Sequence, residues 1–171
     1  YTLIAVGVWL YHGALLQADR RLASREERER LASAALQVAV VDVGDGHFGR
    51  AVVAALQRRL PGLPVVALGL TPAAAEAMGT PASPEPAAVQ LARVDLIIGP
   101  WSIAVGGQGE GAVSTEIVQA VTGGAGRRLL VPFRTPGWDW AGLDRKWNET
   151  AIVRQIVRAV ERALEEVGGT P

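Results

Sequence analysis

Residues 37–49 read QVAVVDVGDGHFG, a β-branched run that breaks into a glycine-rich turn. Apolar residues fall on both parities of the run 37–43, the pattern of a strand covered on both faces. The turn 44–49 matches G-x-G-x-x-G, and a helical pattern starts inside it and continues to residue 60. A strand, a glycine turn and a helix in that order form the context in which the fingerprint has a mechanism. Gly44 permits a tight turn, Gly46 admits an anion close to the backbone, and Gly49 lets the helix pack on the strand. Free N–H groups and the positive helix end then favour a phosphate. The competing reading is a turn whose glycines serve only geometry and packing.

Outward from this unit the pattern repeats. Short apolar runs at 63–68 (LPVVAL), 94–98 (VDLII) and 128–133 (RLLVPF) predict three more strands. Helical patterns lie between them at 71–78, 85–92 and 113–122, and a last one covers 148–167 with Ile152, Ile156, Val160 and Leu164 on one stripe. Strands alternating with helices imply βαβ units and a parallel sheet. With right-handed crossovers the economical arrangement is an α/β fold with a four-stranded, parallel, doubly wound sheet of order 2-1-3-4, Rossmann- or flavodoxin-like. Residues 37–168 form this domain. Residues 1–36 precede it as a long N-terminal helix.

In such a sheet the carboxyl ends of strands 1 and 3 flank the switch point where ligands bind. Strand 3 is followed by Gly99, Pro100, Trp101 and Ser102, and then by the glycine-rich stretch 106–111 with Gln108 and Glu110. The candidate ligand-binding residues are therefore Gly44, Asp45, Gly46, His47, Phe48 and Gly49 from the first loop, with Gly99, Pro100, Trp101 and Ser102 from the second. A nucleotide is the cofactor class this suggests. An ordinary NAD site lacks its ribose acid, because the end of the second strand, 68–71, reads LGLT. No G-x-x-x-x-G-K-[ST] loop is present. His47, Asp45 and Glu110 are the available proton-transfer groups, but no nucleophile motif accompanies them, so enzymatic activity stays open. The stretch 134–147 holds Trp138, Asp139, Trp140 and Trp147, a set that suits a protein interface better than base stacking.

Zero net charge and no basic stripe interleaved with aromatics argue against nucleic acid as a partner. The absence of cysteine excludes disulfides, thiol catalysis and cysteine-ligated metals. His12 and His47 lie in different segments, so no metal site is expected.

Residues 2–16 (TLIAVGVWLYHGALL) carry no formal charge, and Arg20 and Arg21 follow. As a helix they would reach about 22 Å, short of the roughly 30 Å hydrocarbon core unless the span continues upstream. Trp9, Tyr11 and His12 resemble an interfacial belt, and the arginines mark a cytoplasmic exit. A membrane anchor leads over a buried helix and over a signal peptide, which would need a basic n-region and a better cleavage site. His12 is either a polar tip at the headgroups or a ligand to a haem or chlorophyll metal. The charged, Ala- and Leu-rich run 17–36 reads as a helical stalk.

From about Val38 to Val160 the chain resembles a small bacterial family of Rossmann-like domains of unknown function. The segments that carry the likeness are VAVVDVGDGHFGRAVVAAL (38–56), VVALGLTPAAAEAM (65–78) and VDLIIGPWSIAVGGQGEGAVSTEIVQAV (94–121). The resemblance implies the fold and no activity. Gly106, Gly107 and Gln108 stand where the family tends to carry Ala-Asn-Ser, so no polar role carries over to them. The expected function is a membrane-tethered module at the cytoplasmic face of a bacterial inner membrane, binding a nucleotide or other phosphorylated small molecule as an accessory or sensor subunit. Protein partners or self-association are expected with it. The alternative is a non-catalytic structural subunit of a membrane protein complex.

Overall fold

The computed structural model describes residues 36–80, 86–106, 113–133 and 148–168. The elements run β1 (Val38–Asp42), α1 (His47–Arg59), β2 (Val65–Gly69), α2 (Pro72–Met78), α3 (Ala87–Leu91), β3 (Leu96–Pro100), α4 (Ser102–Val105), α5 (Thr115–Gly123), β4 (Arg127–Val131) and α6 (Glu149–Gly168). The four strands are all parallel and ordered β2-β1-β3-β4, the order the sequence implies. Strand and helix bounds agree with the sequence pattern to within about two residues; the short helix α4 has no counterpart in that pattern.

Strand parity divides the core in two. Val38 and Val40 face α1 and α6, where Phe48, Val52, Leu56, Ile156, Val160 and Leu164 close over them. Ala39 and Val41 face the other way, into a cluster with Leu91, Ile97, Ile103, Ile117 and Val121 from the opposite helical layer. Both central strands, β1 and β3, are buried at every residue, as a sheet with helices on both faces requires. The edge strands β2 and β4 are only partly covered.

Leu36 departs from the expectation of a stalk helix reaching residue 36. It is non-helical and buried at the base of the α1/α6 cluster, so the domain core begins one residue earlier. The apolar segment 2–16, the charged run 17–35, Gln108, Glu110 and the tryptophans of 134–147 lie outside the described residues. Among the described residues no helix is long and apolar enough to cross a membrane.

Helix ends are secured by side chains. Thr71 and Ser114 cap α2 and α5 by accepting from the amides of Ala74 and Ile117. Ser114 also holds the Glu116 carboxyl below its ordinary range, chiefly through a side-chain hydrogen bond. At the far end of α5, Arg128 donates from Nε to the Val121 carbonyl at 2.6 Å and from Nη2 to the carbonyls of Thr122 and Gly124. A cation thus sits on the negative end of the helix and binds β4 to it.

Helix α2 lies unusually close to β2. A methyl group at Gly69 would overlap the backbone of Ala74 and Ala75. Gly69→Ala is therefore expected to cost about 2–3 kcal/mol by overpacking. Gly123, at the end of α5, has a negative φ, and a Cβ added there would meet nothing within 4 Å. Gly123→Ala should be neutral or stabilise by up to about 1 kcal/mol. Urea unfolding of the two variants checks the contrast.

Candidate functional site

The four parallel strands all end at the carboxyl edge of the sheet. β1 pairs with β2 out to Asp42↔Gly69, but with β3 only as far as Val40↔Ile98. β3 meanwhile stays with β4 to Pro100↔Val131, and the Trp101 amide continues that ladder onto the Val131 carbonyl. The β1–β3 ladder therefore ends before its two neighbours, at the switch point, while Val41 and Gly99 stay close. Pro100, without an N–H, falls beyond the last β1 pair, which is why a proline is tolerated in a central strand.

The glycine loop owes its shape to a residue outside the candidate set. Asp42 ends β1 on the same parity as Val38 and Val40, so its side chain turns under the start of α1. It is only 6% exposed. Its Oδ1 accepts from the amides of Gly44 at 2.7 Å and Gly46 at 3.3 Å, and its Oδ2 from the amide of Gly49 at 2.8 Å. Asp45 Oδ1 accepts from the His47 amide at 3.0 Å. Gly46 takes the left-handed conformation, φ 79°, that folds the loop back over the carboxylate.

The amides of Gly44, Gly46, His47 and Gly49, expected to be free for a phosphate, donate to protein carboxylates instead. The glycines are also packed. A Cβ at Gly46 would come within 2.7 Å of the Ala77 methyl and 2.9 Å of the Ala74 carbonyl, and one at Gly49 within 2.6 Å of Met78 Sδ and 2.9 Å of Asp42 Cβ. Both positions bring α2 against the loop, over the ground between the glycine turn and the end of β2 where a dinucleotide ribose would be held. Thr71 completes the closure by donating from Oγ1 to the Gly44 carbonyl at 2.6 Å, while Leu70 N donates to the Asp42 carbonyl at 2.8 Å.

The ten candidate residues divide by exposure. Gly46, Phe48, Gly49, Gly99 and Pro100 are buried; Gly44, Asp45 and His47 are exposed; Trp101 and Ser102 are half-buried. Phe48 points into the core, edge-on to Phe133 with ring centroids 4.7 Å apart. A Cβ at Gly99 would lie 3.0 Å from the Val41 carbonyl and 2.9 Å from Ile103 Cδ1, so this glycine allows β3 to close on its neighbours. His47 Nε2 lies 3.5 Å from Glu149 Oε1, joining the starts of α1 and α6, but at 63% and 41% exposure the pair is a solvated surface contact. Among the described residues no three His, Asp or Glu side chains are grouped to hold a metal ion.

These features define a doubly wound α/β domain of flavodoxin-like strand order, with a first loop tied down by the aspartate that precedes it. The chain belongs to the family described as a domain of unknown function (DUF3842), whose model matches residues 37–167. That match spans the sheet and every helix from α1 to nearly the end of α6. Comparison with curated proteins and with solved structures gives no match.

Thr71 both caps α2 and latches the glycine loop, so removing its hydroxyl affects two elements. Thr71→Val should lower stability by about 1–3 kcal/mol, and Thr71→Ser should recover most of it. Chemical denaturation with the two variants side by side tests the assignment.

Proposed function

We propose that this chain is a non-catalytic accessory subunit, whose α/β domain docks on a protein partner while residues 2–16 hold it at the cytoplasmic face of a membrane. The observation that carries this reading is the commitment of the loop amides to Asp42 and Asp45. The fingerprint is then accounted for without a ligand. Support for the partner comes from the tryptophans of 134–147, a residue type enriched at interfaces. Support for the tether comes from the uncharged stretch 2–16 followed by Arg20 and Arg21.

A second reading, a nucleotide or other small molecule at the switch point, is favoured by the end of the β1–β3 ladder at Val40↔Ile98, short of the ladders on either side. Its contacts would come from Trp101 and Ser102 at the β3 end rather than from the amides of 44–49.

Two measurements separate the readings. A thermal-shift panel of mono- and dinucleotides should leave the melting temperature unchanged; a rise of about 3 °C or more would favour the second. In fractionated cells the full chain should sediment with membranes and purify from detergent with a stoichiometric membrane protein. A chain lacking residues 2–16 should move to the supernatant. Recovery of the full chain in the supernatant, without a partner, would overturn the first reading.

A further inference from the structure

We infer that the Asp42 carboxylate is the anion around which the glycine loop is built, and that it closes this loop to the phosphate of any external ligand. Three backbone N–H groups converge on its two oxygens, from residues two, four and seven positions further along the chain. The first turn of the 13-residue helix α1 adds the positive end of its dipole. This is the donor set a glycine fingerprint offers to a phosphate, with a side chain of the same chain in the ligand's place. A phosphate entering here would have to displace a buried carboxylate, or stand beside it as a second negative charge with its donors already engaged.

The selectivity follows from Asp42, with Asp45 adding a second carboxylate to the loop. A molecule at the carboxyl edge meets a loop whose positive potential is already neutralised, so the loop favours neutral or cationic groups over anionic ones. Removing the carboxylate leaves its donors unpaired around a space of carboxylate size, next to the exposed Gly44. That space suits formate, acetate or inorganic phosphate. The inference shares with the docking reading the hydrogen bonds of the loop amides to Asp42, but it concerns only the occupancy of the loop, so anion rescue tests it separately from membrane sedimentation and partner co-purification.

The test is anion rescue. Asp42→Ala should melt well below the wild type and regain about 3 °C or more on titration with formate, acetate or phosphate, saturably, relative to chloride at equal ionic strength. The wild type should show no such gain. Its Gly44, Gly46 and Gly49 amide resonances should also stay in place when phosphate is added, a measurement that needs no variant. Should the alanine variant fail to fold, Asp42→Asn keeps the volume but turns a donor toward the loop, and hydrogen exchange at Gly46 or Gly49 should accelerate about tenfold or more with β4 unchanged. Phosphate-dependent movement of the wild-type loop amides, a folded alanine variant indifferent to all three anions, or unaltered exchange in the asparagine variant would overturn the inference.

Discussion

A carboxylate buried at the end of the first strand needs partners, and in this domain the partners are backbone amides of the turn that follows it. Asp42 is the one buried charged side chain among the described residues. Leaving it without donors would be costly, and leaving the buried amides of Gly46 and Gly49 without an acceptor would be nearly as costly. Each need answers the other. The turn must fold back over Asp42, Gly46 must adopt a positive φ to do so, and α1 must start where its first amides reach the carboxylate. The entry angle of α1 onto the sheet, and with it the packing of Phe48, Val52 and Leu56 on Val38 and Val40, follows from that arrangement.

The second constraint is closeness. Gly46, Gly49 and Gly69 all face the Ala-rich helix α2 or its Met78, and each lacks the side chain that would hold the helix away. Glycines that in a dinucleotide site leave room for pyrophosphate here leave room for a neighbouring helix. Thr71 links the two loops because its hydroxyl can donate to Gly44 and accept from Ala74 at once. The carboxyl edge is consequently closed on the β1–β2 side by α2 and Thr71.

Much of the architecture is legible in the chain. The four apolar runs, their parity and the helical stripes between them lead to the parallel sheet and its order, since few topologies satisfy right-handed crossovers with connections of this length. The position of the candidate site at the carboxyl ends of strands 1 and 3 follows from the same rule. The chemistry of the loop is less legible. Asp42 stands in QVAVVDV as one polar residue in a strand, and its signal is parity: it shares the face of Val38 and Val40, which α1 covers. Phe48 and Pro100 join the candidate ligand residues by adjacency in the sequence, whereas burial removes both from solvent.

Local pattern suffices wherever the deciding physics is local. Hydrophobic period, β-branching, glycine turns and capping hydroxyls act over a few residues, and they set the elements, their order and the family likeness. Tertiary structure alone decided what fills the fingerprint, because that depends on meetings between distant residues. Gly46 faces Ala74 and Ala77, and Thr71 reaches Gly44, only because β1 and β2 pair in the register Val38↔Val65 to Asp42↔Gly69. A glycine motif specifies a concave set of N–H donors; whether a ligand or the protein's own carboxylate occupies them is settled by which side chain the fold turns toward them.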